Sequence, residues 1–296
     1  DNFFPTRQTL VRMFVIVGIV VVLGCVLGGF VLEHGNLMQL IQPIELLIIG
    51  GAALGAFLIS SPKSVVTDTI KSALGVFGAS EPDKKIYLEI FGAMFELMNN
   101  ARRNGVVAIE PHVTKPEGSS IFGSCPGLQK NKEALNFICD NFKVLLVGNI
   151  DPNTFESIMD VDIATRHHHH MIPSQSVSKV PDSLPGLGIV AAVLGVVLTM
   201  SKINEPPDVL GHSIGAALVG TFLGVLLCYG FVGPVAANME HIAAGKSATL
   251  KVIKACLTAY AQGLAPALAV EAGRRAIPGH AQPTFEETEE AMKAKK

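Results

Sequence analysis

The sequence predicts an all-α polytopic membrane protein with four transmembrane helices and a helical cytoplasmic domain. Three observations carry this. Charged residues are only 16% of the 296 positions, where a soluble domain usually holds about a quarter, and the mean hydropathy is +0.43. The deficit in charge is concentrated in four apolar blocks. Outside them, apolar residues recur at three- and four-residue steps, and no period-two strand pattern stands out.

The first block, Met13 to Leu32, has no charge. The second, Leu37 to Ser60, carries only Glu45, near its start. The third runs from Leu184 to Met200 and the fourth from Ser213 to Met239, both uncharged. Crossing the hydrocarbon core takes roughly 20 apolar residues. The third block is short unless its flanks extend it. The first is too long for a cleaved signal, and no small-x-small site precedes the second, so it reads as a permanent span.

Lysine and arginine set the expected orientation. The N-terminal segment has Arg7 and Arg12, the hairpin at 33–36 has none, residues 62–183 have twelve, the hairpin at 201–212 has Lys202 alone, and the tail after 240 has eight. Both termini and the middle stretch are therefore expected in the cytoplasm. The chain divides into 1–61 (N-terminal segment and spans one and two), 62–183 (cytoplasmic helical domain), 184–239 (spans three and four) and 240–296 (cytoplasmic helical tail). A net charge of −2 gives no case for nucleic acid. Five cysteines, at 25, 125, 139, 228 and 256, lack paired spacing and read as reduced, small apolar residues.

In the middle stretch, Ser80 before Pro82 suits a helix start, with Glu81 and Asp83 in its first turn. Ile86, Tyr87, Ile90, Phe91, Met94, Phe95 and Met98 then form an apolar stripe. Gly105 ends that helix after Arg102 and Arg103, cations placed where the helix dipole favours them. A second helix is expected over 129–147, with Leu135, Ile138, Phe142 and Leu145 on one face. A third begins at Asp151-Pro152 and carries Phe155, Ile158, Met159 and Ile163. Residues 118–127, GSSIFGSCPG, read as a polar loop. The tail continues the fourth span, is interrupted by Pro266 and Pro278, and ends in FEETEEAMKAKK, which suits a short exposed helix.

Three motifs invite chemistry. His167 to His170 are consecutive, so on a helix they point four ways and do not converge on a metal; they read as a solvated helix end. Gly186-x-Gly188-x-x-Ala191 matches the dinucleotide fingerprint, but prolines spoil the strand it needs before it and an apolar span follows it. Arg102, Arg103 and Glu110 read, from composition, as either helix-capping surface charge or a contact site. No catalytic constellation is seen, so the chain reads as a non-enzyme without cofactor or metal.

Spans three and four are rich in small residues, with close-approach spacings at Gly211-x-x-x-Gly215 and Gly220-x-x-x-Gly224. Polar residues there are few, notably Thr199, Thr221 and Tyr229. No charged residue lies deep in any span by this count. A protein that moves ions usually needs an intramembrane ionisable group, so a partner is expected to supply the carboxylate and this chain the wall around it.

At this point the chain resembles the MotA family, the four-span subunit of the bacterial flagellar stator. The likeness covers QPIELLIIGGAALGAFLI in span two, DSLPGLGIVAAVLGVV in span three, VGTFLGVLLCYGFVGPVA in span four and AVEAGRRAIPG with PTFEETEE in the tail. The resemblance implies a proton-conducting subunit in the bacterial inner membrane. It implies a MotB-type single-span partner carrying the ion-binding aspartate, a homo-oligomer of five chains around two partner chains, and contact with the rotor protein FliG. Pro185 and Pro234 match the family's prolines that couple protonation to movement. Arg102 and Glu110 match its rotor-contact charges, with Arg103 an extra charge beside them. Thr221 and Tyr229 match pore-side polar positions. Ala192 falls where sodium-driven relatives carry a threonine, so the expected ion is H+ rather than Na+. The histidine run is a departure without a family role. The alternative is an ExbB/TolQ-type energiser of outer-membrane processes, which has three spans. A free-standing secondary transporter would show its own midplane ligands and internal repeats.

Overall fold

The computed structural model describes residues 7–76, 82–148 and 150–294, with the side chains of 7–12 outside that description. Among the described residues every regular element is helical. In chain order they are α1 (Arg7–Leu32), α2 (Leu37–Leu40), α3 (Pro43–Ser60), α4 (Lys63–Gly75), α5 (Lys84–Asn104), α6 (Glu110–Thr114) and α7 (Ser120–Gly123). They continue with α8 (Pro126–Lys130), α9 (Lys132–Val147), α10 (Pro152–Met200), α11 (Pro207–Leu226), α12 (Gly233–Ala261), α13 (Pro266–Arg275) and α14 (Phe285–Lys293). The residues fall into two compact units, one within Asp1–Ser80 and His169–Ile242, the other within Glu81–His168 and Ala243–Lys296.

The first unit contains the apolar blocks. Four helical stretches are long and apolar enough to cross a membrane: Met13–Leu32, Leu37–Ser60, Pro152–Met200 and Pro207–Ala261. The last two reach well beyond the third and fourth blocks of the sequence, because α10 and α12 carry each block onward into polar helix without a break.

The second span is interrupted where the sequence showed one block. α1 ends in a Schellman turn: Gly35 N–H donates to the Phe30 carbonyl at 2.9 Å and His34 N–H to that of Val31 at 2.9 Å. His34 takes the left-handed position, φ 62°, and Asn36 then caps α2 by accepting from Met38 N–H at 3.0 Å. Pro43 is the first residue of α3, and its ring pushes Gln42 out of helical geometry, to φ −119° and ψ 86°.

α10 runs unbroken for 49 residues although Pro173, Pro181 and Pro185 lie inside it. Each proline removes one ladder donor. Serines along the stretch also bond back to the helix, Ser174 Oγ to Met171 O at 2.9 Å, Ser178 Oγ to Ser174 O at 2.9 Å and Ser183 Oγ to Val180 O at 2.8 Å. Between α11 and α12 the chain forms a π turn over Leu227–Val232.

The second unit is built on α5. Its N-cap is Asp83, which accepts from Ile86 N–H at 3.0 Å; Ser80 and Glu81, expected at this start, lie outside the described residues. Tyr87, Ile90, Phe91, Met94 and Met98 of the stripe are buried, with Ile86 and Phe95 packed at its edge. Burying each such side chain is worth about 1.5–3 kcal/mol. They meet Phe137, Ile138 and Phe142 of α9, Phe155 and Met159 of α10, and Val252, Ile253 and Leu257 of α12. Ile158 does not join them: it is 46% exposed, because it sits off the face shared by Phe155, Met159 and Ile163.

Residues 118–127 are not a polar loop. They form α7 and the start of α8, with Ile121, Phe122, Cys125 and Leu128 buried. Glu89 of α5 secures the turn by accepting from Gly127 N–H at 2.7 Å and Leu128 N–H at 3.0 Å. A Cβ on Gly127 would lie 2.8 Å from that carboxylate, so a larger residue there would shift the Glu89 side chain. α14 opens with a capping box between Thr284 and Glu287. It is tied to α5 by the Lys84–Glu287 ion pair at 3.0 Å and buries Thr288, so it is docked rather than free.

Candidate functional site

In the first unit, α10 and α11 meet backbone to backbone. A Cβ built on Gly188 would lie 2.9 Å from the Gly220 carbonyl oxygen, 3.2 Å from Gly224 Cα and 3.3 Å from Thr221 Cα. Only glycine permits such an approach, and close van der Waals packing is what associates helices in lipid. At Gly220 a Cβ would lie 3.2 Å from Ala191 Cβ and 3.3 Å from Ala192 N. Ala192, Gly220 and Thr221 therefore stand at one level of this seam. Gly186, Gly211 and Gly215 have nothing within 4 Å, so the spacing at 220–224 is used inside the chain and that at 211–215 is not.

Tyr229 and Pro234 belong to a different surface. With Phe14, Gly18 and Val22 of α1 they line a groove of about 330 Å³. Tyr229 lies in the π turn and is 73% exposed. That turn follows from Pro234, which has no N–H to donate and whose ring clashes with the carbonyl four residues back. Gly233 N–H instead reaches the Cys228 carbonyl, five residues back. Pro185 is half-buried within α10, which continues through it to Pro152. The carbonyl of its neighbour Leu184 would lie 2.6 Å from a Cβ on Gly224, so Pro185 adjoins α11 beside the seam. The five membrane residues are thus divided: Ala192 and Thr221 at the seam, Pro185 beside it, and Tyr229 with Pro234 at the groove.

One residue that sequence reasoning passed over stands at the seam. Glu45, third in α3, is 8% exposed, and its Oε2 has no hydrogen-bond partner. That oxygen would lie 2.9 Å from a Cβ on Gly220. Glu45 looked peripheral because it falls early in an apolar block. α2 and the break at Pro43 occupy the start of that block, and α3 places the carboxyl level with Gly220. Its being the only charge in the block was the available signal.

In the second unit, Arg102 and Arg103 close α5 and both are exposed. Gly105, at φ 85°, turns the chain into a 3-10 turn, Val106–Ile109. Buried Ile109 pins this turn, and Glu110 follows, exposed, at the start of α6. The structure thus displays all three charges around one pinned turn, with Val107 between them 70% exposed. Tyr260 donates to the Met98 carbonyl at 3.4 Å. Burial pushes the Tyr260 phenol above its ordinary range and the Arg102 guanidinium pulls it back, which sets Arg102 apart from Arg103.

The tail motif is a latch. Arg274 forks onto Glu271 with Nε at 2.7 Å and a terminal nitrogen at 2.8 Å, while Arg275 adds a third bond at 2.9 Å. Arg274 also donates to the Pro283 carbonyl at 3.2 Å. The Arg274 hydrogen bonds hold the Glu271 carboxyl down to about 2 against the opposing effect of burial.

The histidine run lies inside α10, not at a helix end. His167 Nδ1 is 2.8 Å from the hydroxyl of buried Ser247, and His168 and His169 are exposed. Among the described residues, no three His, Cys, Asp or Glu side chains cluster as a metal site would need.

Among the described residues the fold has no strand and four helices long and apolar enough to span a membrane, which defines a polytopic, all-helical membrane protein. Residues 129–252 match the MotA/TolQ/ExbB proton channel family and residues 16–105 the motility protein A N-terminal family. The chain is 36% identical over 282 residues to motility protein A of Salmonella typhimurium, covering 95% of this chain and 96% of that one. It is 36% identical over 284 residues to motility protein A of Escherichia coli, covering 96% of each. Its fold is similar to the structure of C. jejuni MotAB, with a TM-score of 0.73 at 20% identity over 89% of this chain and 95% of that one. The chain belongs to the motility protein A family and is a stator subunit of the flagellar motor.

Proposed function

We propose that this subunit conducts protons jointly with a MotB-type single-span partner and passes the resulting movement to the rotor protein FliG. The seam carries this reading. Its walls at Ala192, Gly220 and Thr221 are small and nearly apolar, and residues 184–200 and 213–239 contain no Asp, Glu, Lys or Arg. Such a surface suits a carboxylate brought by another chain. The similarity to MotAB structures and the family resemblance support a ring of five chains around two partner chains, embedded in the inner-membrane lipid.

The distribution of Lys and Arg supports cytoplasmic termini and a rotor-side position for the turn that bears Arg102, Arg103 and Glu110. Pro185 beside the seam and Pro234 behind the π turn are suited to transmit a change at the ion site, because each sits where the helix ladder is already relaxed. One charge crossing 100 mV releases about 2.3 kcal/mol, so each proton drives a modest step.

Ala192 favours H+ as the ion. A methyl group offers no ligand to sodium, so the transported ion is H+ rather than Na+ in this reading. The ExbB/TolQ alternative has three spans, and the additional N-terminal hairpin of this chain, matched by the motility protein A N-terminal family, favours the stator. The experiment is co-expression with the partner in cells lacking their own stator. Swimming should be restored, persist without sodium and stop when the proton gradient is collapsed. Swimming that stops on sodium removal overturns the proton reading.

A further inference from the structure

The first unit holds a carboxyl group that the partner-supplied ion site does not use. Glu45 is buried where α3, α10 and α11 meet, with Oε2 unpartnered and aimed at Gly220. An ionised carboxylate in hydrocarbon costs about 3 kcal/mol or more, so such groups are retained where they act. A purely structural carboxyl is expected to bring its hydrogen-bond partners with it. Here the Gly220 position faces the carboxyl: a Cβ there would lie 2.9 Å from Glu45 Oε2, 3.2 Å from Ala191 Cβ and 3.3 Å from Ala192 N. Gly220 keeps the space open, since any side chain there would meet the carboxyl.

A route leads to this group. A cavity of about 520 Å³ is lined by Gln39, Gln42, Asp208, His212, Gly215 and Ala216, among others. Gln42 precedes Glu45 by three residues at the head of α3, and Ala216 precedes Gly220 by four on α11. The cavity therefore opens one helical turn from the carboxyl on both helices. Asp208 and His212, both exposed, supply titratable groups at its mouth.

We propose that Glu45 is a proton-exchange site carried by this chain itself, filled through the cavity lined by Gln42, Asp208 and His212. The proposal rests on the proton-conducting reading above and adds a station to it. The carboxylate takes a proton from hydronium in the cavity, leaving water. It then releases that proton across the Ala192–Gly220 seam to the carboxylate of the partner chain. No co-reactant is needed. Asp208 and His212 of α11, Glu33 and His34 at the end of α1, and Lys202 and Glu205 of the connection after α10 are the other titratable or charged groups on this side. α3 carries no second charge, and α10 has none between 184 and 200.

The test uses the wild-type and E45Q subunits with the partner in cells, in sodium-free medium, reading proton entry with a cytoplasmic pH indicator at external pH 6, 7 and 8. E45Q should reduce entry by roughly tenfold at pH 8, with the gap narrowing toward pH 6 as bulk protons fill the path directly. E45D should recover part of the loss. A gap of constant size at every pH, or none, overturns the proposal and leaves Glu45 a packing residue. H212Q in parallel tests the mouth of the cavity: a partial loss with the same pH trend is expected, and a full loss in H212Q with E45Q behaving as wild type overturns Glu45 as the station. Absence of proton entry in the wild type overturns the conducting reading along with this one.

Discussion

Gly188 and Gly224 touch across the α10–α11 seam: a Cβ on Gly224 would lie 3.0 Å from Gly188 Cα and 2.6 Å from the Leu184 carbonyl oxygen. These are backbone atoms that cannot swing aside, so Gly224→Ala must separate the helices. Overpacking of this kind costs about 1–3 kcal/mol. The expected outcome is a large loss of assembled complex on native gels and of swimming. Gly211→Ala and Gly215→Ala, with open space around them within the chain, should keep the subunit folded. Equal tolerance at 224 and 211 would contradict the seam.

Arg102 and Glu110 flank one pinned turn, and both are exposed. Charge reversal there should leave folding untouched, because neither carries the core, and should weaken a contact made at the surface. Arg102→Glu and Glu110→Lys are each expected to reduce swimming by roughly tenfold, about 1.4 kcal/mol of contact energy, at unchanged membrane levels. Arg103→Glu should cost less, since only Arg102 is held near Tyr260. Normal swimming of both reversals would remove the rotor role.

Pro185 lies inside a continuous helix. Pro185→Leu restores a ladder N–H and stiffens α10 beside the seam. Assembly should therefore persist or improve while torque is lost. Wild-type torque from a tethered-cell measurement would count against coupling at this position.

Glu271 responds to acid. Its folded value of about 2 lies below the ordinary carboxylate value of 4.5, so its stabilisation is fully present above 4.5 and is lost as pH falls toward 2. With the side chain 17% exposed, the contribution is about 2–3 kcal/mol at neutral pH. Glu271→Gln should lower the thermal midpoint of the purified protein at pH 7. The difference from wild type should shrink steadily between pH 4.5 and 3. A difference independent of pH would mean the latch is not ionic.

Much of this protein was legible in its sequence. The four apolar blocks fixed the number of crossings, since length and lack of charge are enough to determine whether a helix is stable in hydrocarbon. The stripe from Tyr87 to Met98 identified the core of the second unit, because a face is a local property of helical spacing. Gly105 marked the end of α5 and placed Arg102 and Arg103 at it.

What the tertiary structure decided was depth, continuity and neighbours. Residues 118–127 look polar one at a time, yet Glu89, far away in the chain, gives their backbone donors a partner and lets them fold as helix. Pro173, Pro181 and Pro185 look like breaks, yet α10 runs through them. Gly211 and Gly220 have the same spacing to a second glycine, and only Gly220 meets another helix of the chain. Glu45 reads as the edge of a span in sequence and stands at the middle of a three-helix junction in space. Hydropathy and periodicity are sums over adjacent residues, whereas burial of a single carboxyl depends on which distant backbone atoms close around it.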